Sequence, residues 1–79
     1  MIIKVTQEHI DKGCKLNTLS CPVALAMEEA TGDNWSVGSV FFWLESKKKA
    51  IPITIKIRYF IEDFDSGKKV LPFEFELNI

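Results

Sequence analysis

The sequence predicts an α+β domain, a small antiparallel or mixed sheet with two or three helices packed on one face. Three observations carry that reading. The stretch "PFEFELNI" alternates apolar and polar residues with period two, as a half-buried antiparallel strand does. The stretch "CPVALAMEEATG" places Val23, Ala26, Met27 and Ala30 at helical spacing, behind a proline and ahead of a glycine. Hydrophobic residues make up 47% of the chain, with six Phe, two Trp and one Tyr, which is too apolar for disorder. At 79 residues the chain is a single domain, residues 1–79.

The elements follow in order. "MIIKV" is a first strand. Thr6 is placed to cap a short helix over "QEHIDK", its hydroxyl accepting from an otherwise unpaired backbone N–H. Glu8 suits the positive end of that helix. Gly13 is expected to close it in the left-handed conformation. "CKLNTLS" is a connector. Pro22 then opens a second helix, where its missing N–H would be unpaired anyway. Leu25 widens the apolar face of this helix, and Gly32 ends it.

"WSVGSVFFWLE" is β-rich, with Val40, Phe42 and Leu44 on one face and Phe41 and Trp43 on the other. A strand apolar on both faces is expected to be covered on both, by its own chain or a neighbour's. "SKKK" is a turn. The next segment carries two periodicities: Ile51, Ile53, Ile55 and Ile57 alternate as in a strand, while Ile57, Phe60, Ile61 and Phe64 repeat as in a helix. The reading adopted is a short strand near 50–53 and a helix over roughly 54–65, ended by "DSG". In the last strand Phe73, Phe75, Leu77 and Ile79 face one way and Glu74, Glu76 and Asn78 the other, with Pro72 at the strand entry. The predicted order is β-α-α-β-(β)-α-β.

The net charge of −1 argues against a general attraction to nucleic acid or to a membrane surface. Positive charge is nevertheless concentrated in the second half, in Lys47-Lys48-Lys49 and Lys68-Lys69. No run approaches the ~18 apolar residues of a membrane span. The apolar start is too short for a signal peptide, so a cytoplasmic location is expected, with Cys14 and Cys21 reduced. A core of this size rarely contributes more than ~3–5 kcal/mol. The apolar content is high for so little interior, and a second copy of the chain is therefore an expected partner.

Catalytic and metal chemistry finds little support. A thiol at a helix N-terminus, as at Cys21, feels the positive dipole end. It has no orienting partner in the sequence, and a small buried residue is the expected role. His9, Cys14 and Cys21 lack the paired spacings of a zinc site. Glu28-Glu29 and Glu62-Asp63-Asp65 are read as solvated, because adjacent residues point to different sides of a helix. "WSVGSV" lacks the spacing and the following lysine of a phosphate loop. No enzyme activity, metal or cofactor is expected. The aromatic and basic residues remain. Trp35, Trp43 and Tyr59 are of the type that anchors binding surfaces, and Arg58 can grip phosphate in a fork. The candidate ligand-binding set is Trp43, Arg58, Tyr59, Lys68, Lys69 and His9.

Three blocks, "VTQEHIDKG", "CPVALA" and "FIEDFDSGKKVLPFEFEL", resemble a family of short uncharacterised proteins encoded by bacteriophages and prophages. The family pattern is a TQEHI-x-x-G start, a CPVALA helix and an FI-x-x-FD-x-G-x-x-V-x-PF-x-F-x-L ending. The resemblance implies a phage accessory protein acting inside a bacterial cell, and it favours helix over residues 54–65. No functional residues carry over from it.

The expected function is thus non-catalytic: countering host antiviral defence by binding and sequestering a nucleotide-type signal as a homo-oligomer. The alternative is an interaction module that inhibits or adapts a host protein, for which an edge such as "FEFELNI" can add to another sheet.

Overall fold

The computed structural model describes residues 1–78. Its elements are β1 (Ile2–Val5), α1 (Gln7–Lys12), α2 (Pro22–Thr31), β2 (Trp35–Val37), β3 (Phe41–Leu44), a 3-10 turn (Glu45–Lys47), β4 (Lys49–Pro52), α3 (Ile55–Asp65) and β5 (Phe73–Glu76). The fold is α+β and all strand pairing is antiparallel. The strands form two sheets rather than one, β1-β5 and β2-β3-β4. The strand read near 50–53 and the helix read over roughly 54–65 both form, the strand over Lys49–Pro52 and the helix over Ile55–Asp65.

"WSVGSVFFWLE" is a hairpin, not one strand. Residues 38–40 turn the chain, so Trp35 pairs with Leu44 and Val37 with Phe42. The inner face of this sheet is buried through Trp35, Val37, Phe42 and Leu44. Among the described residues nothing covers the outer face fully: Phe41 and Trp43 are 50% and 37% exposed, and Val40 lies exposed in the turn. The turn moves Val40 off the strand.

The core joins the two sheets. Phe42 of β3 stacks on Phe75 of β5, with ring centroids 5.9 Å apart, and the Trp35 ring meets Phe42 edge-on. Ile3 and Val5 of β1, Val23, Ala24, Ala26 and Met27 of α2, and Ile57 of α3 complete the buried cluster. Phe60 packs on Phe73 at 4.5 Å. In β5, Phe73 and Phe75 face inward and Glu74 and Glu76 outward, as the alternation predicts. Leu77 is buried, and Ile79 lies outside the described residues.

Two local expectations are corrected. Gly13 is extended (φ −68°, ψ 150°), not left-handed. What it supplies is space, because a Cβ there would lie 2.7 Å from the Pro22 ring. Ala30 is exposed and Ala24 is buried in its stead, since α2 leaves the core after Met27. Gly32 does close α2 in the left-handed conformation (φ 75°), its N–H bonded to the Glu28 carbonyl. Among the described residues no helix is long and apolar enough to cross a membrane.

Candidate functional site

His9 is one of the six candidate ligand residues, and its side chain is committed to the fold. Its backbone N–H donates to the Thr6 hydroxyl, and its Nδ1 accepts from the Thr6 N–H at 3.0 Å, a reciprocal capping box. Nε2 is then the protonated nitrogen, and it meets a Glu29 carboxylate oxygen at 2.7 Å. The ring is buried.

Trp43 stands on the outer face of β3, away from the other candidates. Its indole N–H donates to Glu45 at 2.7 Å. That bond, with Lys48 beside it, lowers the pKa of the Glu45 carboxyl. Trp35 is core, its indole N–H donating to the Thr31 hydroxyl at 2.8 Å.

Arg58 and Tyr59 are neighbours in sequence, but successive residues of an α-helix point about 100° apart. They open into different concavities on α3.

Arg58 lines a cavity of about 270 Å³ between α3, the 16–18 loop and the β2-β3 turn. Cys21, Val37 and Ile61 supply apolar wall, and Arg58, Glu62 and Asp65 supply the charge. The loop is held down at two points: the Leu16 N–H donates to Asp65 at 2.9 Å, and the Val37 N–H donates to the Thr18 carbonyl at 2.8 Å. Leu16 is left-handed (φ 55°), a conformation that costs a non-glycine residue about 1–2 kcal/mol. Arg58 donates from Nε to Glu62 at 3.2 Å. With one guanidinium against two carboxylates, this rim does not favour phosphate.

The Cys21 thiol on this cavity caps α2, its sulfur accepting from the Ala24 N–H at 3.4 Å. Burial raises its pKa despite that hydrogen bond, so the helix dipole does not make it a thiolate. Cys14 is exposed, and both thiols are free.

Tyr59 and Lys69 share the second concavity, a shallow groove of about 350 Å³. Lys56, Phe60, Asp63 and Phe73 also line it. Tyr59 is 57% exposed. Lys68 stands beside the groove with Nζ 3.8 Å from Asp63. Two lysines face one aspartate here, and Lys68 offsets that aspartate, so this groove is net positive.

Of the predicted set, then, Tyr59, Lys69 and Lys68 come together, Arg58 faces a separate cavity, and Trp43 and His9 lie elsewhere. Sequence reasoning missed Lys56, although Lys56, Tyr59, Phe60 and Asp63 stand at i, i+3, i+4 and i+7 on one helical face. It also missed that Glu62 and Asp65, three residues apart, share a face with Arg58. No protein-family model, curated protein or solved structure matches the chain.

Proposed function

We propose that this chain acts by binding rather than by catalysis, and that it is a phage-type accessory protein capturing a nucleotide-like ligand in the groove of Tyr59, Lys56 and Lys69. The single observation that carries the reading is the pairing of an exposed ring with net positive charge in one groove. The ring is a stacking platform for a base, and ammonium groups favour phosphate over a neutral solute. The apolar outer face around Phe41 and Trp43 supports the homo-oligomer, because a second copy would cover what the chain leaves open. Sequestration of a defence signal is the role that fits a phage protein of this kind.

Calorimetric titration of ATP and of cyclic dinucleotides tests the reading. Charged hydrogen bonds to phosphate are worth about 1.5–3 kcal/mol each, so Lys56→Ala and Lys69→Ala should each weaken binding about tenfold or more. Lys48→Ala, outside the groove, should leave it unchanged. Absence of binding by the unsubstituted chain up to ~1 mM, where the free energy is only about −4 kcal/mol, rejects the ligand. Sedimentation equilibrium tests the second copy: Trp43→Lys should lower the mass to that of one chain. A single-chain mass before substitution rejects the oligomer.

A further inference from the structure

We infer that the outer edge of β5 is a docking strand for an extended segment of a partner protein that alternates basic and aliphatic residues. The inference goes beyond the ligand groove and does not depend on it.

The strand register carries the argument. Met1 and Leu77 exchange both main-chain bonds, the Leu77 N–H donating to the Met1 carbonyl at 2.8 Å and the Met1 amino group to the Leu77 carbonyl at 2.9 Å. Bonded and non-bonded pairs alternate along an antiparallel ladder. Ile3–Phe75 and Val5–Phe73 are therefore bonded pairs, whereas Ile2–Glu76 and Lys4–Glu74 are not. The N–H and C=O groups of Glu74 and Glu76 point away from β1. Among the described residues they have no hydrogen-bond partner, and both residues are exposed.

The other edges are less receptive. In β4 the Ile53 N–H donates to the Val40 carbonyl, so Pro52 falls at a non-bonded position and its missing N–H lies on the outer edge. The outer edge of β2 already gives its Val37 N–H to Thr18. β1 presents Lys4 on its open edge, a residue that commonly blunts strand addition.

Charge selects the occupant. Antiparallel addition of β5 from a second copy would set Glu74 and Glu76 against the same two residues, and like charges directly opposite are destabilising. A strand with Lys or Arg at alternate positions gives attraction instead. Its intervening aliphatic residues would lie beside Phe73 and Phe75, which are only half-buried. Glu74 has no ion-pair partner among the described residues, whereas Glu76 lies 3.3 Å from the Met1 amino group.

The probe is a short synthetic peptide of alternating lysine and valine, with a glutamate–valine peptide as its counterpart. Hydrogen exchange on the full chain should show fast amides at Glu74 and Glu76 and slow ones at Phe73, Phe75 and Leu77. The lysine peptide should slow the Glu74 and Glu76 amides. By fluorescence anisotropy it should bind at least tenfold more tightly than the glutamate peptide. Glu74→Pro removes an outward N–H without touching the β1 ladder, and should abolish binding while the melting temperature holds. Glu74→Lys should weaken binding of the lysine peptide. Lys69→Ala should leave it unchanged. Slow exchange at Glu74 and Glu76 in the isolated chain, or equal binding of the two peptides, overturns the inference, whatever the fate of the ligand groove.

Discussion

Gly13 and Pro22 lie so close that a Cβ on Gly13 would stand 2.7 Å from both Cδ and Cγ of the proline ring. The glycine ends α1 and the proline opens α2, so this contact sets how tightly one helix follows the other. The backbone of Gly13 is ordinary, so the constraint on it is steric and not conformational.

Gly13→Ala should therefore destabilise the chain by about 1–3 kcal/mol, the usual range for overpacking. Pro22→Ala in the same chain should recover part of the loss. Urea unfolding of the two single variants and the double variant measures the coupling. Equal stability of Gly13→Ala and the unsubstituted chain would falsify the contact.

His9 should prove structural. His9→Ala removes a buried ring and one half of a capping box, and a loss of about 1–2 kcal/mol is expected. His9→Gln keeps an acceptor at the third helical position and should retain part of that stability. Glu29→Ala should cost less than about 1 kcal/mol, because the carboxylate side is 72% exposed. Thermal unfolding separates the three. A larger effect at Glu29 than at His9 would reverse the assignment.

Cys21 should behave as an inert cap. A disulfide reagent at mildly alkaline pH should modify the exposed Cys14 rapidly and Cys21 only as the chain opens. Cys21→Ser keeps an acceptor for the Ala24 N–H and should cost under about 1 kcal/mol, whereas Cys21→Val loses the cap and should cost about 1–2 kcal/mol. The pH dependence follows from the raised pKa. The folded chain holds the thiol proton more tightly than the unfolded chain. This contribution is fully present below the unfolded thiol's pKa of about 8.5 and is lost as pH rises toward the folded value. Cys21→Ser should flatten that alkaline decline. Equal labelling rates for the two thiols would reject the cap.

Features governed by residues a few positions apart were legible in the sequence. Thr6 and Pro22 mark helix starts through backbone groups within one turn. The period-two pattern of β5 records a single buried face, and the spacing of Ile57, Phe60, Ile61 and Phe64 identified α3 against a competing strand pattern. Part of the candidate site was legible as well. Tyr59 and Lys69 belong together, and Lys56 was recoverable from helical spacing.

What tertiary structure alone decided is how those segments meet. A β-rich run with two apolar faces fits one strand covered twice or a hairpin covered once; the chain forms the hairpin, with Phe42 on its inner face stacked on Phe75. β1 pairs with β5 from the far end of the sequence, a partnership that no local pattern encodes. Gly13 does end α1, but its extended backbone and the steric need for a glycine there emerge only when Pro22 is packed against it. The physical reason is common to these three: periodicity records which face of an element is apolar, whereas the choice of the opposing surface depends on shape and packing between residues far apart in the chain.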